Sequence, residues 1–292
     1  MKKEVIGSPI RWAGSKKKLL NEMLEKTFKR NKDNYIECFL GSAVVLLNVL
    51  NNKEELGYKH FYVNDINSNI INFFTMLQKK PKYLIENINT IINNYNSIDM
   101  QKKSELFYDI RKKFNNSNSS NEKSIYFYFL MKAGFNGVYR ENSKGEFNVP
   151  FGKKEKILVQ EENLFDISKL LKDVEFYNLP FEEFLMLMKE KGILNNSFVY
   201  CDPPYLPDDM LVYQKQMLYT KEAFNHEEFF KMVNSLKIKN VMISMSESRI
   251  ADDIYNNKPY KKIDVREIIR VVNPKKLFSS KEIAFINYEI EE

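Results

Sequence analysis

The residues with the clearest chemical signature are Asp202-Pro203-Pro204-Tyr205, which follow the apolar, strand-like run Phe198 to Cys201. Two successive prolines stiffen a loop and fix the carbonyls and the carboxylate beside them. The amine of an aromatic base is a weak nucleophile because its lone pair is delocalised into the ring. A carboxylate and a backbone carbonyl that accept both amine protons would favour a pyramidal nitrogen, and Tyr205 would stack on the base. A plain Pro-Pro turn explains the prolines but not the flanking Asp and Tyr, so we favour the catalytic interpretation.

A second group of residues lies where an early strand would turn into a helix. Glu37-Cys38-Phe39-Leu40-Gly41-Ser42-Ala43 puts small residues at this turn, which lets a ligand approach the backbone and the helix N–H groups. Asp65 ends the next predicted strand, 24 positions after Gly41. This is close to the roughly 20-residue offset at which a carboxylate meets a ribose diol in nucleotide-binding βαβ units. A merely tight turn and a helix cap at Asp65 explain the same residues, so this pair alone leaves both interpretations open.

The strands and helices that would position these residues are predicted from hydrophobic periodicity. Strand patterns cover the ranges 35–39, 61–64, 174–177, 197–200, 241–244, 263–272 and 283–290, and helical patterns cover 42–51, 67–79, 181–191 and 226–236. Alternating strands and helices predict an α/β fold. The last two strands resemble an antiparallel pair that closes an otherwise parallel sheet.

The region from residue 80 to 156 departs from this pattern, because polar helical segments replace the strands after Pro81. Its clearest predicted loop is the polar run Asn115 to Asn121. We therefore expect a catalytic domain built from residues 1–79 and 157–292, interrupted by an inserted, mainly helical module at 80–156.

Positive charge is concentrated in the same region. The chain has a net charge of +6, and residues 101–160 alone contain 12 Lys and Arg against 6 Asp and Glu, which accounts for the whole excess. Aromatic residues alternate with these cations, as a surface that contacts phosphates and stacks on bases requires. A core helix whose lysines face water is the simpler explanation, and composition alone favours it over nucleic-acid binding.

Composition and motif content exclude several other classes of protein. The two cysteines, Cys38 and Cys201, lie in strand-like runs, so a disulfide scaffold is ruled out. The two histidines are far from any paired cysteine spacing, so we expect no metal site. The longest apolar stretch, 43–50, is far shorter than the roughly 18 residues of a membrane helix. No apolar segment follows Met1-Lys2-Lys3, so we expect no secretory signal and a cytoplasmic protein.

In their order and over nearly the whole chain, these motifs resemble those of the Dam-like, alpha-class DNA adenine-N6 methyltransferases. Pro9-Ile10-Arg11-Trp12-Ala13-Gly14-Ser15-Lys16 is similar to the N-terminal cofactor motif of that family, and the range 35–43 to its Phe-x-Gly-x-Gly turn. The range 135–152 resembles the DNA-reading hairpin of members that methylate GATC. Asp202 to Tyr205 matches the catalytic motif. Ser15 and Ala43 stand where glycine is common in the family.

The resemblance implies a Rossmann-like, S-adenosylmethionine-dependent methyltransferase with a mixed, mainly parallel sheet and an inserted helical target-recognition module. The cofactor-binding residues that it implies are Trp12, Lys16, Phe39, Gly41, Asp65 and Asp202. The implied catalytic residues are Asp202, Pro203, Pro204 and Tyr205. The implied DNA-contacting residues are Arg11, Phe135, Asn136, Val138, Arg140 and Pro150. At Arg11, arginine would suit a bidentate contact with guanine.

The implied reaction is methylation of N6 of an adenine that is flipped out of double-stranded DNA, within GATC or a similar site. A methyltransferase for RNA or for a protein amide is one alternative, and a DNA-binding relative without catalysis is another. The hairpin argues against the first, and the intact Asp202 and Asp65 argue against the second. A restriction endonuclease would be a genetic rather than a physical partner.

Overall fold

The computed structural model describes residues 4–12, 16–204, 206, 224–273 and 276–290, with the side chains of 267–280 left out of the description. The strands are β1 Asn34–Glu37, β2 His60–Asn64, β3 Val174–Tyr177, β4 Ser197–Cys201, β5 Val241–Ser246, β6 Lys261–Asn273 and β7 Lys276–Ile286. They form one sheet in the order β3-β2-β1-β4-β5-β7-β6. The first five strands are parallel, and β7 runs antiparallel to both β5 and β6.

The predicted α/β fold with a mixed, mainly parallel sheet is confirmed. The largest error concerns β7, which begins at Lys276 rather than at the predicted residue 283. Its backbone pairing with β6 continues to Asn273 and Lys276, through the polar run 279–281. The polar run interrupts the alternation of apolar and polar residues on which the strand prediction rests.

The helices in the described part of the chain are α1 Leu20–Lys26, α2 Val44–Asn51, α3 Lys53–Leu56, α4 Ser68–Lys79, α5 Pro81–Ser97, α6 Met100–Asn116, α7 Ser120–Ala133, α8 Glu161–Leu170, α9 Phe181–Glu190, α10 His226–Ser235 and α11 Arg249–Tyr255. None of them is both long enough and apolar enough to cross a membrane.

Alternate residues of each central strand enter two separate apolar cores, because successive side chains of a strand point to opposite faces of the sheet. Tyr35 and Phe198 belong to the core that includes residues of α1 to α8. Ile36 and Val199 belong to the core under α9, α10 and α11. Both faces of the central strands are therefore covered, as parallel sheets require.

The predicted loop at 115–121 is wrong at both ends, since α6 continues to Asn116 and α7 begins at Ser120. The Asn115 side chain donates to the carbonyl of Phe147 at 3.1 Å and accepts from its N–H at 2.9 Å, which fixes this residue at the end of the helix. Ser119 caps α7 by accepting from the N–H of Glu122 at 3.3 Å. Small polar residues therefore serve here as helix ends.

The N-terminal segment is attached to the buried helix α2 through Asn48. The Asn48 side chain accepts from the N–H of Ile6 and donates to its carbonyl, both at 2.9 Å, and it also donates to the carbonyl of Val44 at 2.7 Å. Asn48 is 2% exposed, so these hydrogen bonds compensate for its burial. They hold the segment that carries Arg11 and Trp12 against the sheet domain.

Candidate active site

The carboxyl ends of β1, β2 and β4 meet at one edge of the sheet. The order of the strands reverses between β1 and β4, and ligands of open parallel sheets bind in the crevice outside such a reversal. A cavity of about 310 Å³ lies there. It is lined by all six residues that the family resemblance implies for the cofactor, Trp12, Lys16, Phe39, Gly41, Asp65 and Asp202.

The turn after β1 has a left-handed backbone at two positions, Gly41 with φ of 50° and Ala43 with φ of 57°. A Cβ atom on Gly41 would lie 3.4 Å from Nε1 of Trp12, in van der Waals contact with the indole. At Ala43 the left-handed conformation costs an alanine roughly 1–2 kcal/mol, a penalty that glycine escapes.

Asp65 fastens this turn to the end of β2. Its Oδ2 accepts from the N–H of Gly41 and its Oδ1 accepts from the N–H of Asn67, both at 2.8 Å. The cap of α4 is Asn67, whose side chain accepts from the N–H of Asn69 at 3.0 Å. Asp65 is therefore not the helix cap. Burial raises the pKa of the Asp65 carboxyl above its usual value, although the two backbone donors act in the opposite direction.

Asp202 is held by a lysine and a serine that come from distant parts of the chain. Nζ of Lys16, a residue that is 2% exposed, lies 2.7 Å from Oδ1 of Asp202. Oγ of Ser244 donates to the same Oδ1 at 3.2 Å, and it lies 2.8 Å from the hydroxyl of Tyr200. Both contacts fall on Oδ1, so no donor among the described residues reaches Oδ2. That oxygen is available to a ligand.

A buried carboxyl group, Glu37, also lines the cavity and is 1% exposed. Its Oε2 accepts from the Tyr35 hydroxyl at 2.8 Å. Burial raises the pKa of Glu37 well above its usual range, and the nearby charges of Asp202 and Asp65 act in the same direction. The surroundings thus favour a neutral Glu37, although sequence analysis gave it no role beyond its place in the turn.

A second buried carboxyl group, Glu282 of β7, lies behind Lys16. Its Oε2 is 3.9 Å from Nζ of Lys16, and its Oε1 accepts from Oγ of Ser246 at 3.1 Å. The Lys16 ammonium therefore lies between two carboxyl groups, those of Asp202 and Glu282. Neither Ser244 nor Glu282 was predicted from the sequence. Ser244 could have been indicated as a polar residue inside the apolar strand β5, whereas Glu282 follows the polar run 279–281 and has no such signal.

The wall of the cavity contacts the range 135–152 through two aromatic rings. The rings of Trp12 and Tyr139 stack with their centroids 5.6 Å apart and an interplanar angle of 26°. Nδ2 of Asn69 donates to the Tyr139 hydroxyl at 2.9 Å. A Cβ atom on Gly137 would lie 2.5 Å from Cβ of Arg11, so only glycine allows this close approach. The N-terminal motif thus packs directly against the range 135–152.

This range folds back on itself through two isolated bridges, Gly134 with Phe151 and Glu141 with Phe147. All six residues that the resemblance implies for DNA contact are exposed: Arg11, Phe135, Asn136, Val138, Arg140 and Pro150. Phe135 is 53% exposed, so it does not pack in the core. Nε of Arg140 donates to Oδ1 of Asn148 at 2.7 Å, which fixes the plane of its guanidinium.

Two further predictions concern the catalytic motif and metal ions. Tyr205 lies outside the described residues. In the described ranges, no group of three or more His, Cys, Asp or Glu side chains could hold a metal ion.

Comparisons with known proteins agree with one another. The sequence profile of the D12 class N6 adenine-specific DNA methyltransferases matches residues 12–271. A type II methyltransferase of Methanocaldococcus jannaschii, M.MjaIII, is 31% identical over 293 residues, which cover 96% of this chain and 98% of the relative. A DNA adenine methylase of Haemophilus influenzae is 29% identical over 286 residues, 95% of this chain and 92% of the relative. A type II methyltransferase of Lactococcus lactis subsp. cremoris, M1.LlaDCHI, is 27% identical over 267 residues, with 87% and 86% covered.

Proposed function

The chain belongs to the D12 class of N6 adenine-specific DNA methyltransferases, and from this premise we propose that it transfers methyl from S-adenosylmethionine to N6 of a flipped adenine in double-stranded DNA. It is an enzyme of DNA methylation. The observation that carries the proposal is the cavity at the strand reversal, where the Asp202 loop, the Gly41 turn and Asp65 line one space. A methyl donor and an acceptor amine have to meet in such a space for direct transfer.

The residues around the cavity fit S-adenosylmethionine, which supplies an electrophilic methyl group when it is bound. The cavity volume of about 310 Å³ is within the range of roughly 300–1,000 Å³ that small-molecule sites have. We assign Asp65 to the ribose hydroxyls. Each of its oxygens accepts one backbone N–H and keeps a lone pair for a second donor. The left-handed Gly41 lets the cofactor approach the backbone of the turn.

We assign the adenine amine to Oδ2 of Asp202 and to the carbonyl of Pro203. Lys16 and Ser244 occupy Oδ1 of Asp202, and among the described residues no donor reaches the Pro203 carbonyl. Two acceptors for the two amine protons would turn the nitrogen lone pair out of the ring. The loop would thereby aim the lone pair at the electrophilic methyl group that the cofactor would supply, with the N–C bond replacing the C–S bond. The amine then gives up one proton, which we assign to the Asp202 carboxylate, while Tyr205 stacks on the base.

Recognition of DNA is assigned to an inserted module at 80–156, with the residues 1–79 and 157–292 forming the catalytic domain. In this proposal Arg11 and Arg140 read guanines, and Phe135 enters the opened base stack. Lysines of the inserted module contact phosphates. We propose GATC or a similar site, because the range 135–152 resembles the hairpin of GATC enzymes. Two of the relatives described above are named type II methyltransferases, which supports a restriction endonuclease as a genetic partner. A genomic DNA substrate also supports a cytoplasmic location.

The test is to incubate the purified protein with S-adenosylmethionine and unmethylated DNA, and to map N6-methyladenine by sequencing. We expect modified adenine at GATC or a related site, and no modification by the Asp202→Ala variant. Methylation of RNA or of a protein amide in parallel reactions, with unmodified DNA, would reject the proposal in favour of those alternatives. Binding of DNA without any cofactor binding would instead identify a relative that has lost catalysis.

A further inference from the structure

Tyr139 lies between the cavity and two residues that are assigned to DNA contact. Its neighbours in the chain, Val138 and Arg140, are both exposed, whereas the Tyr139 ring is half-buried and packs against the apolar core. The backbone at Val138 is extended, and successive side chains of an extended segment point to opposite sides. A shift of the Tyr139 ring would therefore displace both exposed neighbours.

The ring of Tyr139 has three aromatic neighbours. It stacks on Trp12 with the centroids 5.6 Å apart, it meets Phe127 of α7 edge to face at 6.0 Å, and it contacts Phe147 at 5.6 Å. Phe127 and Phe147 are both buried, so they form a fixed support, while Trp12 lines the cavity. Through Tyr139, the core around α7 therefore supports one wall of the cavity.

The hydroxyl of Tyr139 makes a second connection. An ionised carboxylate can only accept, so the hydroxyl donates to Oε1 of Glu141 and accepts from Nδ2 of Asn69 at 2.9 Å. Asn69 lies in the first turn of α4, directly after the cap Asn67, whose N–H donates to Asp65. The hydroxyl thus connects Tyr139 to the loop that is assigned to the cofactor ribose.

We propose that Tyr139 is a positioning residue for methyl transfer, which holds Val138 and Arg140 at a fixed distance from the cofactor cavity. It does so through its stack on Trp12 and its hydrogen bond from Asn69. Direct transfer requires the flipped adenine to reach the methyl donor in a defined geometry while the protein holds the neighbouring bases. The inference rests on the proposed function, because it concerns the placement of DNA relative to that donor.

The first experiment compares Tyr139→Leu with Tyr139→Phe. Phenylalanine keeps the stack and loses only the hydroxyl, whereas leucine loses both. We expect Tyr139→Leu to lower kcat roughly 10- to 100-fold, as a displacement near 1 Å does in an active site. Its preference for the wild-type methylation site over single-base variants of that site, measured as a ratio of kcat/KM, should fall at least about fivefold. Tyr139→Phe should lose only about threefold in kcat, the effect of one hydrogen bond.

Tyr58 provides the matched control, because it is also a stacked tyrosine with a bonded hydroxyl. Its ring stacks on Phe198 at 6.1 Å, and its hydroxyl donates to the carbonyl of Lys29. It precedes β2, at the end of the sheet opposite the cavity. Tyr58→Leu is expected to lower the thermal midpoint without changing the preference among DNA sites.

Thermal midpoints of all variants separate a loss of positioning from a loss of folding. If Tyr139→Leu kept wild-type kcat and site preference, the positioning role would be overturned. The role would also be overturned if Tyr58→Leu, at an equal loss in thermal midpoint, reduced the site preference as much as Tyr139→Leu does.

A second measurement does not depend on activity. Trp12 is the single tryptophan of the chain, so its fluorescence reports directly on the stack. We expect Tyr139→Leu to shift the emission to longer wavelength and to increase quenching by acrylamide, because the indole gains contact with water, and Tyr139→Phe to match the wild type. Identical emission and quenching in Tyr139→Leu and wild type would refute the stack.

The two measurements also distinguish the inference from the proposed function. A wild type that shows the expected fluorescence but does not methylate DNA would overturn the proposed function. An active wild type with an unaffected Tyr139→Leu variant would overturn only the positioning role.

Discussion

Lys16 and Asp202 form an ion pair of 2.7 Å between residues that are 186 positions apart in the chain. The pair joins the N-terminal motif to the loop after β4. Lys16 contacts Oδ1 of the carboxylate, which leaves Oδ2 available to a ligand. Charges that are withdrawn from water are tolerated when they are paired, and removing one partner leaves the other uncompensated. Lys16 is therefore expected to stabilise the folded site and to compensate the negative charge of Asp202.

Lys16→Met is expected to lower the free energy of unfolding by about 3 kcal/mol, because it leaves the Asp202 carboxylate without its cation in a largely buried site. The rate of methyl transfer should decrease along with the free energy of unfolding. The exposed Lys18 is the matched control, and Lys18→Met should change the free energy of unfolding by less than about 0.5 kcal/mol. Chemical denaturation checks both values, and equal stability of the two variants would contradict the importance of the pair.

Asp65→Ala is expected to weaken binding of S-adenosylmethionine by roughly 1.5–3 kcal/mol, because a charge-assisted hydrogen bond to the ribose is lost. DNA affinity should change much less. The exposed Asp166, which pairs with Lys169 at the surface, is the control, and Asp166→Ala should leave both affinities unchanged. Calorimetry measures the cofactor affinity, and an unchanged value in Asp65→Ala would reject the ribose assignment.

Substitutions at two glycines with positive φ distinguish the effect of backbone strain from the effect of a changed cofactor site. Gly41→Ala and Gly192→Ala both force alanine into a left-handed backbone, at roughly 1–2 kcal/mol of stability. A Cβ at Gly41 meets Trp12 at 3.4 Å, whereas a Cβ at Gly192 meets nothing within 4 Å. We therefore expect only Gly41→Ala to weaken cofactor binding as well. Equal cofactor affinity of the two variants, measured by calorimetry, would show that this turn does not form the wall of the cofactor site.

Replacing Arg140 and replacing a lysine of the inserted module at 80–156 by alanine should affect DNA binding in different ways. Arg140→Ala should cost about 1–3 kcal/mol at one base and relax discrimination there. Lys112→Ala, on the exposed side of α6, should weaken binding to all sequences and flatten the slope of log K against log salt by about one unit. Lys113 is a poorer choice because it pairs with Asp109 at 2.8 Å.

The measurement for this pair is binding and methylation of duplexes with each single-base variant of GATC, at several salt concentrations. If Arg140→Ala lowered activity equally on every duplex, the base-reading role of the range 135–152 would be wrong even with catalysis intact.

Burial of His226 predicts a dependence of stability on pH. Its pKa falls from 6.5 to about 4 in the folded protein, so the unfolded chain binds the proton more tightly. The stabilisation is therefore complete above pH 6.5 and is lost as the pH falls towards 4, by about 3 kcal/mol at most. His226→Gln has no proton to gain, so the difference in unfolding free energy between wild type and variant should shrink over this window. A constant difference would show that His226 titrates alike in both states.

Much of the site follows from sequence because parallel strands end at a common edge. The Gly41 turn, Asp65 and Asp202 each come directly after a predicted strand, so their convergence on one crevice needed no knowledge of long-range packing. The family resemblance drawn from the same motifs is confirmed by the match over residues 12–271. The run 115–121 was misjudged because polar residues that cap a helix look the same in a sequence as polar residues of a loop.

Sequence by itself thus determined the α/β class, most strands of the sheet and the motifs that follow them, because period-two hydrophobicity and turn residues are local properties of the chain. Only the tertiary structure decided which polar groups stand behind those motifs. Ser244 reaches Asp202, and Glu282 reaches Lys16, from strands far along the chain. Their partners depend on strand order and side-chain direction, which arise only when the sheet is assembled.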